Sequence, residues 1–190
     1  MRLILMGPPG AGKGTQATAI ADRLGVPAIS TGDIFRHHIK NQTEIGRAVQ
    51  AITAAGGYVP DEMTNEIVQG RLAEPDAAQG FLLDGYPRTV GQVEFLDKLM
   101  AGQGHRIGAV LELVVDEDVL VARLLGRAAE QGRADDTEEV IRERMAIYRS
   151  ETEPLTDLYA EHGVLIRVDG MGQVDEVAAR LAAAVEDVQD

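Results

Sequence analysis

The sequence predicts an α/β fold in which five short parallel strands form a sheet covered by helices on both faces. Three observations predict it. Short apolar runs bounded by turn residues alternate with segments of helical period. A Gly-rich turn joins the first run directly to the first helix. The chain has 190 residues, 45% of them hydrophobic, which fits a single domain, 1–190, carrying small insertions.

The elements follow in order. Leu3-Ile4-Leu5-Met6 is a buried strand. Its helix carries Ala17, Ile20, Ala21 and Leu24 on one face and stops at Gly25. Val26 to Ile29 is the second strand. Asp33 to Lys40, Thr43 to Ala55 and Asp61 to Ala73 are three helices, each opened by Asp or Thr as a cap. Phe81-Leu82-Leu83-Asp84 is the third strand. Thr89-x-x-Gln92 forms a capping box for a helix through Leu99. Ile107 to Val115 is the fourth strand, and Asp116 opens a helix to Leu125. Gly126 to Asp136 is polar and Arg-rich and reads as a loop. Thr137 opens a helix through Tyr148, and Pro154 starts another that Gly163 ends. Val164 to Val168 is the fifth strand, and a helix from Asp175 closes the chain.

Composition narrows the function. Lys and Arg number 18 against 31 Asp and Glu, a net charge of −13. A nucleic-acid polymer would repel so acidic a chain. There is no cysteine, so neither a disulfide framework nor a Cys-ligated zinc site is expected. The longest segment without Asp, Glu, Lys or Arg, 48–60, has 13 residues and is too short to span a membrane. A cytoplasmic monomer is the expectation. Lys13, Lys40 and Lys98 are the only lysines; the other 15 basic residues are arginines, whose planar forks suit oxyanions.

Gly7-Pro8-Pro9-Gly10-Ala11-Gly12-Lys13-Gly14-Thr15 matches G-x-x-x-x-G-K between a strand and a helix. A loop that turns its N–H groups onto phosphate needs backbone angles that a Cβ forbids. The helix N-terminus adds its dipole, and Lys13 adds a mobile charge. The usual pattern puts Ser or Thr directly after the lysine for Mg²⁺. Here Gly14 holds that position and the hydroxyl comes one later, on Thr15.

The chain resembles the adenylate kinases. The loop Gly7–Thr15 carries part of the likeness. Ser30-Thr31-Gly32-Asp33-x-x-Arg36 resembles their monophosphate-site signature, and Asp84-Gly85-Tyr86-Pro87-Arg88 their D-G-[FY]-P-R motif. Arg127, Arg133-x-Asp135-Asp136 and Arg144 resemble their lid arginines. The resemblance implies a P-loop NTPase-type sheet with a core (1–29, 60–125, 137–190), a monophosphate-binding insertion (30–59) and a lid (126–136). Five residues separate Arg127 from Arg133, as in the short-lid forms. It implies phosphoryl transfer from Mg-ATP to AMP, giving two ADP. ATP would meet Gly10, Ala11, Gly12, Lys13, Gly14, Thr15, Arg123, Arg127 and the Gly172 backbone. AMP would meet Thr31, Arg36, Gly57, Tyr58, Val59, Gly85, Tyr86, Pro87, Arg88, Gln92, Arg133 and Arg144. Lys13, Arg88, Arg127, Arg133 and Arg144 would be catalytic.

The residues support this chemistry independently. A monophosphate oxygen is already ionised near pH 7, so no general base is needed. His37, His38, His105 and His162 are scattered and read as surface or core residues. Catalysis then consists of positioning and charge neutralisation. Arg144 lies near the apolar stripe of its helix, where a guanidinium needs an anion. Arg88 follows the third strand at the sheet edge where ligands of such folds bind. Arg142 and Arg149 are expected to be solvated or paired with Glu. Asp84 ends the third strand and is expected to meet Mg²⁺ through water, with Asp33 as a second candidate. Asp135 and Asp136 are expected to brace the lid. Two rivals stand beside this reading. A UMP/CMP-type kinase is disfavoured by Thr31, Thr89 and Gln92. A non-catalytic nucleotide switch leaves Arg36, Arg88 and Arg144 without a second anion.

Overall fold

The computed structural model describes residues 1–131, 137–186 and 188. The five strands are β1 (Arg2–Met6), β2 (Ala28–Ser30), β3 (Phe81–Asp84), β4 (Ala109–Val114) and β5 (Leu165–Asp169). They form one sheet in the order β2-β3-β1-β4-β5, every pair parallel. The helices are α1 (Lys13–Leu24), α2 (Thr31–Lys40), α3 (Glu44–Ala54), α4 (Asp61–Leu72), α5 (Val90–Gly102), α6 (Glu117–Gln131), α7 (Glu138–Ile147), α8 (Pro154–Glu161) and α9 (Val174–Glu186). Among the described residues, no helix is long and apolar enough to cross a membrane.

Alternation along the strands divides the core. Leu3, Leu5, Leu111 and Leu113 pack with α1, α6, α7 and α9 on one face. Ile4, Met6, Leu83 and Val110 pack with α4, α5 and α8 on the other. The connection after β1 passes β3 to reach β2, whereas the connection after β3 passes β1 to reach β4. Adjacent strands thus send their chains to opposite sides, which opens a crevice at their C-terminal ends. Leu5 pairs with Asp84 there, so the loops beginning at Gly7 and Gly85 emerge side by side.

Segment 30–59 packs around a small cluster of Phe35, Val49 and Val59, with Ile39 and Ile45, and Met63 and Ile67 of α4, against it. Gly46 makes the approach of α3 to α2 possible, because a Cβ there would collide with the His38 carbonyl. A Gly46→Ala variant is expected to lose about 1–3 kcal/mol of stability through this overpacking. Thermal unfolding checks it; an unchanged melting temperature would contradict the tight approach.

Several boundaries differ from expectation. Ser30, not Asp33, caps α2, with its Oγ accepting from the Asp33 N–H at 3.4 Å. Pro60 occupies the cap position of α4, so Asp61 is free for another role. The largest difference is α6. The expected loop from Gly126 is helical through Gln131. Ala128, Ala129, Glu130 and Gln131 are strong helix formers and offset the roughly 1 kcal/mol cost of Gly126. Between α7 and α8 the chain makes a π turn, Tyr148–Thr152. Residues 132–136, with Arg133, Asp135 and Asp136, lie outside the described residues.

Candidate active site

The Gly-rich loop turns where β1 meets α1. Gly7, Gly10 and Gly12 have φ of 144°, 85° and 93°. At Gly7 and Gly10 a Cβ would also approach the carbonyls of Leu113 and Leu120 to 2.9 Å. Lys13 Nζ donates to the carbonyls of Gly7 at 2.6 Å and Pro8 at 2.9 Å, which draws the charge over the loop mouth. Ala11 is buried, while Gly14 and Thr15 are exposed on the first turn of α1.

The neighbouring loop carries Gly85-Tyr86-Pro87-Arg88, with a cis bond before Pro87. Thr31 Oγ1 donates to the Gly85 carbonyl at 2.8 Å, tying α2 to this loop. Arg88 Nε donates to the same carbonyl at 2.7 Å, and its Cζ lies 5.0 Å from the centre of the Tyr58 ring. Thr152, presented by the π turn, donates to the Arg88 carbonyl at 2.9 Å. That consumes the one hydroxyl hydrogen of Thr152, so Tyr58 OH donates to Thr152 Oγ1 across 2.8 Å. Arg88 is thus fixed at backbone, Nε and ring face. Among the described residues it has no carboxylate partner, and a partly buried cation so placed invites an anion. Tyr86 is 1% exposed and donates to Asn65 at 2.7 Å. Burial pushes its hydroxyl pKa well above the usual tyrosine range, so it remains a donor at neutral pH.

Three cavities meet these loops. A cavity of about 360 Å³ is lined by Thr31, Arg36, Gly57, Tyr58, Val59, Gly85, Arg88, Gln92 and Arg144 among others. Its volume is in the range of small-molecule sites. A second, of about 60 Å³, is lined by Gly7, Pro9, Lys13, Tyr86, Pro87, Arg88 and Arg144. Tyr58, Gly85, Arg88 and Arg144 line both, so the lysine of one loop and the arginine of the other share a seam. Arg144 comes from α7 and is partly buried, one position before buried Met145.

A third cavity, of about 200 Å³, is lined by Gly14, Thr18, Ser30, Asp33, Arg71 and Asp84. Asp84 is 7% exposed and has no hydrogen-bond or ion-pair partner among the described residues. A buried carboxylate without a partner beside a phosphate loop fits a hydrated Mg²⁺. Among the described residues no group of three or more His, Asp or Glu makes a protein cage for a metal. Asp33 fits less well, because its Oδ1 accepts from Arg36 Nη2 at 2.5 Å. A Cβ on Gly14 would stand 3.9 Å from Asp84 Oδ2, so the residue after the lysine faces this carboxylate.

The remaining candidates separate. Arg123 lies away from the three cavities and donates to the Gly170 carbonyl at 3.3 Å, in the loop after β5. Gly172 sits two residues further along that loop with φ 105°. Arg127 lies on α6, but its side chain is outside the described residues, as is all of Arg133. Arg142 pairs with Glu138 at 2.6 Å and Arg149 with Glu117, as expected of solvated arginines. None of the four histidines lines these cavities.

Thr89 caps α5 by accepting from the Gln92 N–H at 3.2 Å, but the expected capping box does not close. The Gln92 side chain turns to Asp61 and the Arg88 N–H instead. Asp61 and Thr152 were not legible as site residues: one reads as a helix cap and the other lies in an unforeseen π turn.

Known proteins resemble this chain over most of its length. The family model described as Adenylate kinase matches residues 5–164. The adenylate kinase of Clavibacter michiganensis subsp. michiganensis is 60% identical over 97% of this chain and 92% of its own length. That of Leifsonia xyli subsp. xyli is 58% identical over 96% of this chain and 92% of its own. That of Kocuria rhizophila is 57% identical over 97% of this chain and 98% of its own.

Proposed function

We propose, from the premise that this chain belongs to the adenylate kinase family and is a phosphotransferase acting between ATP and AMP, that AMP enters the 360 Å³ cavity and the ATP phosphates lie on the Gly7–Thr15 loop. One observation carries the reading. Arg88 and Arg144 line both this cavity and the small one that reaches Lys13, so cations border the path between the two nucleotides.

The transfer then needs little covalent help. An AMP phosphate oxygen forms a bond to the γ-phosphorus. The bond from that phosphorus to the β–γ bridging oxygen breaks, and its electron pair stays on the departing ADP. No proton has to move. Loop N–H groups and Lys13 hold the β- and γ-oxygens, Arg36 and Arg88 hold the acceptor phosphate, and Arg144 closes on the group in transit. Asp84 would hold a hydrated Mg²⁺, which when bound neutralises charge on the β- and γ-phosphates. Thr31, Gly57, Tyr58, Val59 and Gln92 surround the acceptor nucleoside, while Arg123 and the Gly172 loop flank the donor base. Arg127 and Arg133 join the charge cluster by sequence. The division into core, acceptor-binding insertion (30–59) and lid (126–136), and a cytoplasmic monomeric protein, belong to the same proposal. The cluster centred on Phe35, Val49 and Val59, distinct from the two cores on the sheet faces, supports the insertion.

A coupled assay with AMP, CMP, UMP and GMP tests it on the wild type and an Arg36→Ala variant. AMP is expected to react far faster than the others. The variant is expected to raise KM for AMP on the order of tenfold or more, with KM for ATP little changed. A rise in KM for ATP instead would reverse the assignment of the two sites.

A further inference from the structure

The Gln92 amide is gripped from both ends. Its Oε1 accepts from the Arg88 backbone N–H at 2.7 Å, and its Nε2 donates to Asp61 Oδ1 at 2.7 Å. The second oxygen, Asp61 Oδ2, accepts from Thr89 Oγ1 at 2.7 Å. A backbone N–H only donates and an ionised carboxylate only accepts. The amide therefore has one permitted orientation, because a flip would set oxygen against carboxylate and NH₂ against N–H. The side chain is 2% exposed, so water cannot relieve that mismatch. An amide has two hydrogens and two acceptor lone pairs; after these contacts one of each remains for the cavity that Gln92 lines.

A fixed amide distinguishes purines. Adenine offers an amino donor beside a ring-nitrogen acceptor, the pair a glutamine amide matches with both of its groups. Guanine offers a carbonyl acceptor and a ring N–H donor at the corresponding edge, the reverse order. A glutamine free to flip serves either base; one held in place serves one. We infer that Asp61 is a specificity-determining positioning residue, whose carboxylate locks the Gln92 amide in the orientation that takes adenine and rejects guanine. The inference rests on the proposed placement of AMP in this cavity. It assigns Asp61 no contact with the reacting atoms: Asp61 acts through Gln92.

The test compares kcat/KM for AMP and GMP at saturating Mg-ATP, with melting temperature recorded for each variant. Asp61→Asn is nearly isosteric, and its side-chain amide accepts Gln92 in either orientation, leaving the Arg88 N–H alone to favour the present one. It is expected to lower the AMP:GMP ratio on the order of tenfold, with the change mainly in KM. Asp61→Ala, which removes the partner altogether, is expected to move the ratio the same way and serves if the Asn variant folds poorly. Thr89→Ala removes the other bond of Asp61 and a helix cap, so it is expected to lower the melting temperature but leave the ratio. Equal shifts for Thr89→Ala and Asp61→Asn would reduce Asp61 to a structural role and overturn the inference. Gln92→Ala separates the two levels. If it collapses the ratio while both Asp61 variants keep it within twofold, the lock is wrong and the AMP site stands. If Gln92→Ala itself leaves kcat/KM for AMP and the ratio unaltered, the placement of AMP fails and the lock fails with it.

Discussion

An Arg88→Ala variant is expected to lose on the order of 10³-fold or more in kcat/KM, the largest effect of any single substitution proposed here. The guanidinium lies at the seam of the two cavities, and its approach is fixed before any ligand arrives. Nε is bound to the Gly85 carbonyl at 2.7 Å, the cation rests 5.0 Å from the Tyr58 ring centre, and Thr152 holds the backbone carbonyl. Preorganised charge of this kind acts without reorganisation during the reaction. Arg88→Lys is expected to recover only a small part, because a point charge cannot hold two phosphate oxygens as a planar fork does. Steady-state kinetics in both directions, with melting temperature as a control, check this. A loss under about tenfold in a folded Arg88→Ala protein would contradict a role at the transferring group.

Lys13→Ala is expected to cost about 10²–10³-fold in kcat, the range for removal of one preorganised donor at a developing charge. Its ammonium bridges the carbonyls of Gly7 and Pro8 at the mouth of the loop. In a chain of net charge −13, the remaining cations near the polyphosphate are few and local. The split between constants is the diagnostic. A rise in KM for ATP with kcat intact would mean that Lys13 binds ground and transition states equally. The expected result is that kcat falls as well.

Much of the fold was legible because local chemistry marks it. Thr43, Thr89 and Thr137 cap their helices through the expected N–H acceptances. Leu3 to Met6 and Phe81 to Asp84 form strands where short apolar runs end at glycine. The strand order was not legible, because nothing in β2 or β4 alone says which neighbour it takes. Asp33 and Asp61 misled for one reason: an aspartate before an apolar period reads as a cap, yet one pairs with Arg36 and the other holds Gln92 and Thr89. Gly126 misled because a glycine among arginines reads as a loop, while the alanines after it carry α6 on to Gln131.

The site was legible where backbone demands mark it and opaque where it depends on distant pairs. Gly7, Gly10 and Gly12 announce their loop through conformations that side chains disfavour. Arg88 and Arg144 were identifiable as arginines in need of an anion, and they share the walls of two cavities. The link from Tyr58 to Thr152 to Arg88 spans 94 positions in sequence and depends on the π turn that presents Thr152. No local pattern encodes it.

Calorimetric titration with a single ligand carrying an adenosine at each end of a polyphosphate asks whether two nucleotides face each other across Arg88, Arg144 and Lys13. One ligand per chain is expected, bound far more tightly than ATP or AMP alone, with most of that gain lost in Arg88→Ala. Two ligands per chain, or one bound no more tightly than ATP, would contradict it.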